Sequence, residues 1–167
     1  VEVPSPGSGE ASELKTISAE IVVNCAGLWG HRVGKMAGVN VPLHAAEHFY
    51  IVTENIGLPS TLPVLRDPSS WIYAKEDAGK MLVGCFEPKS KPRPLNTIPE
   101  DFSFGQFEED WEHFEPAMLN AMHRIPKLED AGIHTFFNGP ESFTPDDRYI
   151  LGEAPELKNF YVAAGLN

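Results

Sequence analysis

Cations, cysteines and long apolar runs are all scarce in this sequence, and each scarcity closes off a class of function. Thirteen Lys and Arg stand against 24 Asp and Glu, a formal net charge of −11 at pH 7. Such a surface repels phosphate backbones, which excludes a nucleic-acid binder held by charge. No apolar run approaches the roughly 20 residues that a membrane-spanning helix needs. The two cysteines, Cys25 and Cys85, are too few for a disulfide framework. Both lie in apolar stretches, so buried free thiols in a reducing compartment are the expectation.

What is present is globular material. A hydrophobic content of 42% and an aromatic content of 10% over 167 residues suit one domain, or a large piece of one. Within "VPLHAAEHFYIVTE", residues His44 to His48 read H-x-x-E-H, the spacing of one class of zinc peptidase motif. That motif works only on a helix, where positions i and i+4 share a face. Pro42 pushes Val41 toward extended geometry, and no capping residue precedes His44. "HFYIVT" has the aromatic and β-branched composition of a strand. On a strand His44, Ala46, His48 and Tyr50 share one face while Glu47 points away. No metal is expected. The alternatives are imidazoles aimed at a pocket, or a histidine hydrogen-bonded at a strand edge.

Elsewhere the pattern alternates between short strands and two helical stretches. "VEVPSPGSGEASELKTISAEIVVNCAG" reads as a hairpin-like excursion feeding a buried strand over Glu20 to Asn24. Trp29, Val33 and Met36 recur at helical spacing, giving a short helix that ends near Gly38. Strands follow over Glu47 to Thr53, Pro63 to Arg66, Trp71 to Ala74 and Lys80 to Phe86, with a hairpin turn at Asp77-Ala78-Gly79. Prolines 88, 92, 94 and 99 make the next segment an irregular loop, either solvated or a lid; it carries Lys89, Lys91 and Arg93. Phe107, Trp111, Phe114, Met118, Met122 and Ile125 form an amphipathic stripe, with Pro116 kinking the helix or opening a second one. The tail returns to strands, the last over Phe160 to Ala164. The sequence ends on an opening turn and reads as truncated. The fold class expected is α+β, with an antiparallel or mixed sheet.

Three segments in order, "VVNCAGLWGHRVGKMAGV", "HFYIVTE" with "LPVLRDPSSWIYAKE", and "NGPESFTPDDRYILGEAPELKNFYVAAGLN", resemble the flavin-dependent amine oxidoreductases of the D-amino-acid-oxidase superfamily, sarcosine and dimethylglycine dehydrogenase group. "LHAAEHFY", "GCFEPKSKPRP" and "EDWEHFEP" are also similar to the regulatory subunit of pyruvate dehydrogenase phosphatase, a relative of the same fold. The resemblance implies a Rossmann-type FAD domain, contributed by residues 1–40 and 140–167, around a substrate domain at 41–139. It implies that His48 and Tyr73 are catalytic, His48 beside the flavin and Tyr73 on substrate. It implies that Ala26, Gly27, Trp29, Gly165, Leu166 and Asn167 line an incomplete FAD site. The glycine fingerprint that cradles the pyrophosphate is absent, since Gly7-Ser8-Gly9 has no preceding strand and no third glycine. Tetrahydrofolate is implied for the full-length protein, a small N-methylated amino acid as substrate, and the rest of its own chain as partner. Location follows the relatives: bacterial cytoplasm or mitochondrial matrix. Arg66 and Lys75 are candidates for a substrate carboxylate, or for surface ion pairs. A non-catalytic regulatory protein of this fold, and a plain acidic α+β binding module, are the rival readings.

Overall fold

The computed structural model describes residues 2–4, 14–99 and 101–166. Gly7, Ser8 and Gly9, and Asn167 of the final turn, lie outside the described residues. The chain divides into two compact units, Val1–Leu43 with Thr144–Asn167, and His44–Phe143.

The first unit opens with β1 (Glu2–Pro4) paired antiparallel to β2 (Leu14–Thr16). Next come β3 (Val22–Asn24), a 3₁₀ turn over Gly27–Trp29 and α1 (Gly30–Met36). The second unit is built on β4 (His44–Thr53), so the histidine stretch is a strand, as its composition dictates. Then follow β5 (Leu65–Asp67), β6 (Ile72–Asp77), β7 (Lys80–Cys85), β8 (Pro92–Arg93), α2 (Trp111–Arg124) and β9 (Ile133–Phe143). Back in the first unit, β10 (Ile150–Glu153) and β11 (Phe160–Ala164) join β3 in a three-stranded sheet of order β10-β11-β3. There β11 runs parallel to β3 and antiparallel to β10.

In the second unit β5, β6, β7 and β4 lie side by side, every pairing antiparallel. One edge of β4 is shared by β7 and β8, and β9 runs along the other edge for its whole length. Ala78 and Gly79 both take positive φ, 51° and 83°, so the β6–β7 hairpin closes through the mirror-image two-residue turn that suits strand twist. One face of this sheet is apolar. Phe49, Ile51, Ile72, Val83 and Phe136 pack there on Phe114, Ala117 and Ala121 of α2.

Three expectations need correction. Helix α2 starts at Trp111, capped by the Asp110 carboxylate accepting from His113 N, and runs through Pro116 without a second helix opening. Its innermost contacts are Phe114, Ala117 and Ala121; the small alanines let the helix approach closely, while Trp111 is 44% exposed. The proline-rich segment is not wholly irregular. Pro92 and Arg93 pair with Ala46 and Ala45, and Arg93 Nη2 meets the buried Glu47 carboxylate at 2.5 Å. Both cysteines are free, but only Cys85 is buried; Cys25 is exposed, because it follows the last residue of β3 where the sheet ends. Among the described residues no helix is long and apolar enough to cross a membrane.

Phe114 is fully buried and meets Phe136 edge to face at 5.5 Å. Phe114→Ala should therefore cost about 3–5 kcal/mol, the range for an emptied aromatic site in a core. Urea unfolding followed by tryptophan fluorescence and circular dichroism measures it.

Candidate functional site

Strand alternation decides which side chains stand on the other face of the second unit's sheet, turned away from α2. His48 and Tyr50 of β4, Tyr73 of β6, and Phe137 and Glu141 of β9 all point there. Each is half-buried, where their neighbours Phe49 and Ile51 are fully buried. This face thus brings aromatic and titratable side chains together where they are partly open to solvent.

Tyr73 lies directly across from Gly84, which in turn lies across from Tyr50. A Cβ at position 84 would overlap Cζ and Oη of Tyr73. The missing side chain is what lets the phenol lie flat over β7 and reach β4. There its hydroxyl meets His48 Nε2 at 3.0 Å. Phe86 closes the cluster, its ring 4.8 Å from His48 and 5.6 Å from Tyr73. Trp71 holds Phe86 in place: it takes φ 61° at the end of the Pro68–Ser70 turn, and its carbonyl accepts from Phe86 N at 2.8 Å. Arg66 is the register partner of Tyr73, and its guanidinium stands 5.3 Å over the Phe86 ring, a cation–π contact. On the far side of His48, Glu141 Oε2 comes within 3.4 Å of Nδ1.

Burial pushes the Tyr73 hydroxyl well above the ordinary tyrosine range, and the negative charge of Glu141 adds to the effect. Tyr73 is therefore a neutral phenol at physiological pH, able to donate or relay a proton. Glu47, on the opposite face, accepts from Asn138 Nδ2 at 2.8 Å besides pairing with Arg93. His44 is exposed at the start of the strand. No group of three or more His, Cys, Asp or Glu could hold a metal ion among the described residues.

The remaining expected site residues lie in the first unit, at the carboxyl ends of its two parallel strands. After β3, Asn24 is buried and ties the turn together, donating from Nδ2 to Gly30 O at 2.7 Å and accepting from Ala26 N at 3.2 Å. Ala26 O in turn accepts from Trp29 N at 2.9 Å, and Arg32 stacks on the Trp29 ring at 4.8 Å. Gly27 takes φ +52°, and nothing lies within 4 Å of where its Cβ would be. After β11, Gly165 takes φ +64° and Leu166 is exposed. Left-handed glycine turns thus follow two neighbouring parallel strands, the end of an α/β sheet at which a dinucleotide can be received; the Gly27 turn is open, and the Gly165 turn is closed on one side by Thr144.

The sequence did not disclose Glu141, Gly84, Phe86 or Asn24. The glycine had left a signal, an isolated Gly in a strand pattern marking a close approach. Glu141 left none, since its nearness to His48 depends on the β4–β9 register.

A family profile described as FAD dependent oxidoreductase matches residues 2–167. The chain is 42% identical over 160 residues to 4-methylaminobutanoate oxidase (formaldehyde-forming) of Paenarthrobacter nicotinovorans, covering 95% of this chain and 19% of that protein. It is 41% identical over 160 residues to human mitochondrial sarcosine dehydrogenase, covering 96% of this chain and 17% of that one. It is also 36% identical over 165 residues to the mitochondrial pyruvate dehydrogenase phosphatase regulatory subunit of mouse, at 96% and 19% coverage. The chain thus spans about a fifth of the length of the curated relatives it matches. Among solved structures, L-proline dehydrogenase from P. horikoshii superposes with a TM-score of 0.68 at 21% identity, over 87% of this chain and 37% of that one.

Gly84→Ala should lift the Tyr73 ring and break its contact with His48, because the new methyl takes the space the phenol occupies. A loss of about 1–3 kcal/mol is expected, as for other overpacked sites. Thermal unfolding and a crystal structure of the variant check both parts; a Tyr73 hydroxyl still beside His48 would contradict them.

Proposed function

This chain belongs to the FAD dependent oxidoreductase family, and from that membership we propose that it is the segment of an enzyme that oxidises N-methylated glycines, sarcosine or dimethylglycine. The observation that carries the reading is the 3.0 Å contact between Tyr73 and His48 on the open sheet face. Residues of the first unit, among them Ala26, Gly27, Trp29, Gly165, Leu166 and Asn167, would hold part of the FAD. The second unit would bind and orient the amine.

Bound FAD would accept a hydride from the N-methyl carbon. The chain's own residues prepare the amine for that loss. An N-methylated amino acid arrives as an ammonium, whose nitrogen has no lone pair to assist departure of a hydride. Tyr73 Oη would take the ammonium proton while its own proton passes to His48 Nε2. Imidazole is the side chain most often used for such proton transfers. Arg66, on the same face and stacked over Phe86, would be a candidate to meet the substrate carboxylate. The oxidised substrate is an iminium, which water converts to the demethylated amine and formaldehyde. In the whole protein the one-carbon unit could pass instead to tetrahydrofolate.

A second reading, a regulatory protein that keeps the fold without the reaction, is supported by the 36% identity to the phosphatase regulatory subunit. One substitution separates the two. In the full-length protein Tyr73→Phe keeps the ring over Gly84 and removes only the hydroxyl. The enzyme reading expects stopped-flow flavin reduction at saturating amine to slow by roughly 10- to 10⁴-fold, with flavin content unchanged. An unchanged rate, or no flavin reduction by either amine in the parent protein, would reject it.

A further inference from the structure

We propose that Glu141 is a positioning residue that decides which nitrogen of His48 carries the proton. The inference rests on the roles given above to His48 and Tyr73.

A neutral imidazole has one N–H and one lone pair, and its neighbours choose between the two arrangements. Three side chains on this face meet the His48 ring. Phe86 covers its ring, Tyr73 Oη is 3.0 Å from Nε2, and Glu141 Oε2 is 3.4 Å from Nδ1. Tyr73 is indifferent, since a hydroxyl can donate or accept. Glu141 is not, since an ionised carboxylate only accepts. A lone pair on Nδ1 would face the negative charge, so the proton belongs on Nδ1. Nε2 then offers its lone pair to the Tyr73 hydroxyl, which becomes the donor. That is the direction a proton must travel if the phenol is to hand its own to the imidazole and take one from a bound ammonium. In the opposite tautomer Nε2–H would donate to Tyr73, and the relay would be blocked at its first step. The same carboxylate stabilises the imidazolium once the proton arrives.

Register supplies the geometry. Gly139 is the direct partner of His48, and Glu141 stands opposite Ala46, one pair further along the same face. With no side chain at 139 to intervene and only a methyl at 46, the Glu141 side chain can reach diagonally to His48. Glu141 is half-buried, and its ion-pair contact among the described residues is with the imidazole.

The test reads the tautomer directly. Long-range ¹H–¹⁵N spectra of the full-length protein with ¹⁵N-labelled histidine, in apo and FAD-bound forms, should give His48 a protonated Nδ1 and an unprotonated Nε2 at a pH where the ring is neutral. In Glu141→Gln the amide can donate as well as accept, so the preference should collapse toward a mixture or reverse. A wild-type His48 protonated on Nε2, or a Glu141→Gln spectrum with the wild-type tautomer, would overturn the proposal. The variant is close to isosteric, and unshifted His113 and His134 signals show that the fold is kept. Should it fail to fold, the wild-type spectrum alone decides. Flavin reduction in Glu141→Gln should slow by about 10- to 100-fold, the scale for losing a group that orients a functional histidine. If the tautomer changes while the rate does not, the catalytic reading of His48 falls and the role of Glu141 toward the imidazole stands.

Discussion

Everything on the open face depends on β4 being held in register from both edges. A strand's side chains alternate with period two, so a slip of one residue would turn His48 into the apolar core and Phe49 out of it. Pairing with β9 along ten residues, and with β7 and β8 on the other side, leaves no such slip available. The apolar faces of Phe49 and Ile51 against α2 supply the free energy, and the titratable face is positioned as a by-product of that burial. A rigid core on one side is thus the means by which a proton-handling group is placed on the other.

Buried charge strengthens the same register. Glu47 is almost fully enclosed and would be costly there alone, several kcal/mol for an ion without a partner. Arg93 from β8 and Asn138 from β9 meet its two oxygens, which ties the strands flanking β4 through one carboxylate. The acid of the H-x-x-E-H stretch therefore works, but as a structural clamp facing away from the histidines.

How much of this the sequence disclosed follows from how local each feature is. The strand over the histidines, the β6–β7 hairpin and the final strand rest on nearest-neighbour composition and turn chemistry, and all were legible. The α2 stripe was legible in period but not in depth, since periodicity favours large side chains and overlooks the alanines that sit closest to the sheet. Cys25 was misjudged because apolar neighbours do not reveal where a sheet ends. Tyr73 came from family resemblance alone; nothing in "WIYAKE" announces that its ring crosses a glycine on another strand. Glu141 stayed hidden for a related reason, since it lies 93 residues from His48 in the chain and meets it only through strand pairing.

The contrast between the two thiols has a practical consequence for anyone wishing to watch the first unit at work. Cys85 is sealed beneath α2, and burial, with Glu87 beside it, raises its thiol far above the ordinary range, so it presents almost no thiolate to a reagent. Cys25 is open to solvent, next to the Asn24–Gly30 turn. Of this chain's two cysteines a maleimide dye would therefore attach only at Cys25, two residues from the left-handed glycine on the proposed FAD rim. The molecule carries its own site for an environment-sensitive fluorophore, and occupancy of that rim could be followed as a change in emission without engineering a new cysteine.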